Sequence, residues 1–230
     1  MLAQATVTID LDAVRDNTRA VVEALPGVEI VGVTKVTCGT PDIARAMLAG
    51  GAVALGESRL ENAARLRDAG ITAPIWLIRA PTPALADDTV RLTDVSLVSE
   101  PACVDALDRA CARAGTRHSI VVMIDVGDLR EGLMPEALPE FLERVVGLAH
   151  VDVVGVGASL TCYGAIVPDE RNLGLLANLA EEAEHRLGRR MLVSGGSSTS
   201  IAMVMAGRAP AAIDNLRIGE AILLGVDPAT

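Results

Sequence analysis

The 230-residue chain is half hydrophobic and 22% charged, a balance that suits a packed globular core and excludes a disordered polyelectrolyte. Its formal net charge of −10, with no basic run, argues against nucleic acid and anionic membrane as partners. The N-terminus MLAQATVTIDLD has no charged segment followed by a long apolar one, and no apolar run reaches the ~18 residues of a spanning helix, so a soluble cytoplasmic protein is expected.

In chain order, Asp10 is placed to cap a helix whose stripe is Leu11, Val14, Thr18, Val21 and Leu25. Short apolar runs then alternate with stretches of helical period. The predicted strands are Glu29–Thr34, Ala52–Leu55, Ile75–Ile78, Val95–Val98, Ser119–Ile124, Val151–Gly157, Met191–Ser194 and Ala212–Ile218. Thr40-Pro41 reads as an N-cap with a proline at the first helical position, and Leu173, Leu176, Ala180, Ala183 and Leu187 form a second amphipathic stripe. Eight such βα units point to a (β/α)8 barrel formed by residues 1–230 as one domain, although an open doubly wound sheet gives a similar string. The helix ahead of the first strand and the absence of a GxGxxG turn after it favour the barrel.

Chemistry in a parallel barrel sits where strands run into βα loops. The polar residues there are Lys35, Glu57, Ser58, Arg79, Asp125, Arg130, Ser159, Thr161, Cys162, Tyr163, the SGGSSTS segment from Ser194 to Ser200, and Arg217 with Ile218 and Gly219. Lys35 is the only lysine in the chain, so any lysine chemistry has one address. It ends the run VEIVGVTK, where its amine would project into the barrel mouth and burial beside arginines would favour Schiff-base chemistry; a solvated lysine at a strand end is the plain alternative. The Gly/Ser segment reads as an anion cradle of backbone amides and hydroxyls, or as an ordinary turn. The four cysteines show no metal or disulfide spacing. Trp76 and Phe141 are assigned to packing, and His118, His150 and His185 have no role at the strand ends.

The ordered set IDLDAVRDNTR, VGVTK, LGESRLEN, IDVGDLREG, GVGASLTCYG, SGGSST and LRIGEAILLG resembles the N-terminal barrel of the alanine racemase family, above all its alanine and ornithine racemases. The resemblance implies a fold-type III amino-acid racemase dependent on pyridoxal 5′-phosphate (PLP), with a small amino acid as substrate. It implies that Lys35 holds the cofactor through an imine, that Arg217 faces the pyridine nitrogen and that Arg130 lies near the phenolic oxygen. Ser197, Ser198, Ile218 and Gly219 fall on the phosphate contacts. Ser159 stands where alanine racemases place a histidine against the ring. Racemases of this family draw a second acid/base group, a tyrosine, from a C-terminal β-domain of the partner subunit. No such domain is recognised in these 230 residues, nor is the homodimer contact it would make. Tyr163 and Cys162 are the in-chain candidates for that second group, and Asp128 and Glu131 are carboxylates that could meet a substrate amine. The alternative is a single-domain PLP-binding homeostasis protein without racemase activity.

Overall fold

The computed structural model describes residues 6–161 and 166–226, so Cys162 and Tyr163 lie outside the described residues. Eight parallel strands pair in sequence order: β1 (Glu29–Val33), β2 (Ala54–Glu57), β3 (Ile75–Leu77), β4 (Val95–Val98), β5 (His118–Met123), β6 (Val151–Gly157), β7 (Leu192–Ser194) and β8 (Asn215–Ile218). β8 returns to β1 with Glu29 opposite Asn215 and Val31 opposite Arg217, which closes the ring and rules out the open doubly wound sheet. The fold is the (β/α)8 barrel.

Helices α1 (Leu11–Ala24), α2 (Pro41–Ala49), α3 (Leu60–Asp68), α4 (Ala86–Leu92), α5 (Pro101–Ala114), α6 (Leu138–Val146), α7 (Glu170–Leu187), α8 (Ile201–Met205) and α9 (Glu220–Leu224) surround it. Asp10 caps α1 as expected, its carboxylate accepting from the amides of Asp12 and Ala13. Within that helix Val14 and Thr18 carry the burial while Leu11 stays 41% exposed.

Strand parity sorts the core into two layers. Val31, Ala54, Trp76, Leu97, Val121 and Met123 point inward and pack the barrel centre. Ile30, Leu55, Ile75, Ile120 and Val122 point outward and meet the apolar stripes of the helices. Only β4 and β6 keep the expected limits; β1 and β3 end one residue earlier and β7 begins one residue later. β2 begins and ends two residues later than the sequence suggested, because Glu57 is satisfied inside the strand end. β5 lies one residue earlier. β8 starts at Asn215, since Ile213 packs on Gly195 in the turn before it and Asp214 accepts from the Val193 amide.

Candidate active site

At the C-terminal ends of the strands one cavity is lined by Val33, Lys35, Ile78, Leu97, Arg130, Glu131, Ser159, Leu160, Thr161, Ser197, Ser198, Arg217, Gly219 and Glu220. β1 ends at Val33, and Lys35 opens a single 3-10 turn (Lys35–Thr37) that begins where the strand stops. Nine of the residues singled out from the sequence thus meet here: Lys35, Arg130, Glu131, Ser159, Thr161, Ser197, Ser198, Arg217 and Gly219. Ile218 is fully buried in β8 and does not line the cavity.

Arg217 is the most constrained of them. It points inward from β8, is 6% exposed, and donates through Nη1 to Ser194 Oγ at 2.6 Å and through Nη2 to the Ala158 carbonyl at 2.8 Å. Ser194 in turn donates to Asn215 Oδ1 at 2.6 Å. All these acceptors are neutral. Burial therefore pushes the guanidinium down to about 10, with Arg130 adding to the effect and Glu131 opposing it, and it remains charged at neutral pH. Neither Ser194 nor Asn215 stood out as a partner of Arg217 in the sequence. Their inward parity with Arg217 was the available signal.

Arg130 and Glu131 come from the loop after β5. Asp125 pins that loop, its Oδ1 accepting from the amides of Gly127 (2.8 Å) and Leu129 (3.2 Å), while Leu133 pairs back on Met123 and Asp125. Gly132 adopts φ +126, and a Cβ there would meet the Ile124 carbonyl carbon at 2.6 Å, so only glycine lets the loop fold back this closely. Ser159 Oγ donates to Glu131 Oε1 at 2.7 Å, and Arg130 Nη1 lies 3.8 Å from the same oxygen.

Other residues at strand ends do different work. Glu57 is completely buried outside the cavity, accepting from Thr34 Oγ1 (2.6 Å), Asn62 Nδ2 (2.9 Å) and the Ser58 amide (3.2 Å), and so ties the tops of β1 and β2 to α3. Arg79 and Ser58 line a separate depression between α3 and α4. Asp128 is buried, and one of its oxygens accepts from the Ile166 amide. Three cations line the cavity against two carboxylates, Glu131 and Glu220, in a chain whose net charge is −10. An anionic ligand of modest size is what such a pocket favours. Ser198 is 3% exposed with its Oγ held by the Ala221 amide at 3.2 Å. At Gly219 a Cβ would come within 2.9 Å of the Val33 carbonyl oxygen, so the cavity wall there is bare backbone. Among the described residues no group of side chains could hold a metal ion, and no helix is long and apolar enough to cross a membrane.

The model of the alanine racemase N-terminal domain matches residues 9–228. The chain belongs to that family. A lysine racemase of Thermotoga maritima is 38% identical over 222 residues, 95% of this chain and 62% of its own length. An ornithine racemase of Acetoanaerobium sticklandii is 34% identical over 227 residues, 97% of this chain and 64% of its own. The crystal structure of an alanine racemase from Streptomyces lavendulae superposes with a TM-score of 0.80 at 25% identity, covering 97% of this chain and 61% of that one. Against these alanine racemase family members the chain spans a little under two thirds of their length, and their names do not favour a non-catalytic homeostasis protein.

Proposed function

We propose that this chain is the PLP-binding barrel of an amino-acid racemase acting on a small or basic amino acid, with lysine and ornithine favoured by its relatives. The observation that carries the reading is that the chain's single lysine lines the same cationic cavity as Arg130, Arg217 and Ser198. These residues fit the cofactor. Lys35 would hold it covalently, Ser197, Ser198 and Gly219 its phosphate, Arg130 its phenolic oxygen, and Arg217 its ring nitrogen. When bound, PLP acidifies the α-hydrogen of an attached amino acid. Lys35 then takes that proton from Cα on one face and can return it there. Arg217, a cation held by neutral acceptors, would keep a positive charge beside the ring nitrogen and so would disfavour its protonation, limiting diversion into transamination.

Inversion needs a proton delivered to the opposite face. Tyr163 and Cys162 are in-chain candidates for that step, and a group from a partner subunit in a homodimer is the other source. Val36, Leu129 and Val167 are more than half exposed on loops at the cavity end of the barrel, an apolar surface suited to such a cover. The test is direct. PLP added to the purified protein should give the imine absorption band, and borohydride should fix the cofactor to Lys35 alone. A Lys35→Ala protein that still carries a reducible imine would overturn the assignment.

A further inference from the structure

Glu131 is an oddity in this pocket. A phosphate ester and an amino-acid carboxylate both bring negative charge into a cavity faced by Lys35 from the turn after β1, Arg130 from the same loop, Arg217 from β8 and Glu220 from the start of α9. A further carboxylate among them weakens anion binding by simple Coulomb repulsion. Yet the loop is built to present it, between the left-handed Leu129 (φ 53) and the obligatory Gly132. Its side chain is only 22% exposed, and one oxygen serves both the Ser159 hydroxyl at 2.7 Å and the Arg130 guanidinium at 3.8 Å.

We propose that Glu131 is a positioning residue: it ties Ser159 on β6's exit to Arg130 on β5's exit, and supplies the counter-charge between Arg130 and Arg217 at the expense of anion affinity. The proposal rests on the cofactor reading above. An exposed ion pair alone is worth little. Here the carboxylate also takes a short hydroxyl bond across two loops, so its loss frees both partners at once. Arg217 has no acidic hydrogen-bond partner of its own, and the nearby Glu131 charge opposes the lowering that burial imposes on it.

The experiment follows PLP binding to the wild-type chain and to E131Q by absorbance across pH, together with exchange of the amino-acid α-proton in D2O. Glutamine keeps the shape and an acceptor for Ser159 but removes the charge. PLP should bind E131Q about two- to fivefold more tightly, because one repulsive charge is gone. The pH midpoint of the cofactor band should move down by about half a unit or more, because the imine cation loses a counter-charge. Exchange should slow roughly tenfold as Arg130 loses its charged anchor. E131D keeps the charge one methylene short, so it restores the midpoint but not the rate. A structural role alone would produce neither tighter binding nor a directed midpoint shift. E131Q with wild-type affinity, midpoint and exchange overturns the proposal and leaves the cofactor reading standing. No PLP band in the wild-type chain overturns both. Should E131Q not fold, E131D decides: a wild-type exchange rate there overturns the proposal, and a slowed rate at an unchanged midpoint supports it.

Discussion

Arg217 and His118 are both buried in this barrel, and burial acts on them in ways that can be measured. If Arg217 lies against the pyridine nitrogen, Arg217→Glu replaces a fixed cation by a carboxylate that welcomes a proton on the ring. Transamination should then rise relative to proton exchange, read as the ratio of keto acid to exchanged substrate; an unchanged ratio would place Arg217 elsewhere. His118 is 2% exposed and shares a 2.8 Å hydrogen bond with Ser96, far from the cavity. Desolvation holds it down at about 4, against an ordinary value of 6.5. Between these values the unfolded chain binds a proton that the folded one refuses. Stability contributed by neutral His118 is therefore complete above pH 6.5 and is lost as the pH falls toward 4, by up to about 3 kcal/mol. Urea unfolding of the wild type and of His118→Asn at several pH values checks this: the variant should show a flatter dependence over that window.

The βα loops show how far the sequence could be read at the level of elements. Lys35 was legible because an apolar run stops next to it, and the β4 and β6 limits were legible because both strands are short valine-rich runs. Glu57 was misleading. It stood among the polar strand-end residues where chemistry could sit, yet the convergence of Thr34, Ser58 and Asn62 buries it outside the cavity. Arg79 was misread for a related reason, since Ile78 lines the cavity and the next residue must turn away from it. Glu131 could be named as a carboxylate near the site, but its bond to Ser159 depends on the course of a loop that sequence period does not describe. That course can be tested. Gly132→Ala forces a side chain into the Asp125 amide and a backbone angle that alanine resists, at a cost of about 1–3 kcal/mol. Because the loop carries Arg130 and Glu131, PLP affinity should fall along with the melting temperature, whereas a surface glycine such as Gly188, with open space about its Cβ, should affect only stability.

At the scale of the whole molecule, the chain is a closed barrel of the alanine racemase family, and it spans a little under two thirds of the racemases it resembles. Lys35 by itself can exchange the α-hydrogen of one enantiomer with retention, whereas inversion needs a second group on the opposite face. The 230-residue chain is therefore expected to exchange one enantiomer of ornithine or lysine slowly in D2O and to racemise it poorly, as read by chiral chromatography beside deuterium incorporation. Racemisation as fast as exchange would instead point to Tyr163 or Cys162, and Tyr163→Phe and Cys162→Ala would tell which.

The seam between β1 and β8 carries a further consequence. Lys35 follows the first strand of the ring and Arg217 lies in the last, and Val31 sits opposite Arg217 across the join. The two groups that would grip opposite parts of the cofactor are thus supplied from the first and last strands of the ring. No ligand site exists until the circle is shut, which makes cofactor capture a report on ring closure. A ligand that binds only the shut ring stabilises it by mass action, so saturating PLP should raise the melting temperature and slow the opening of this join in hydrogen exchange.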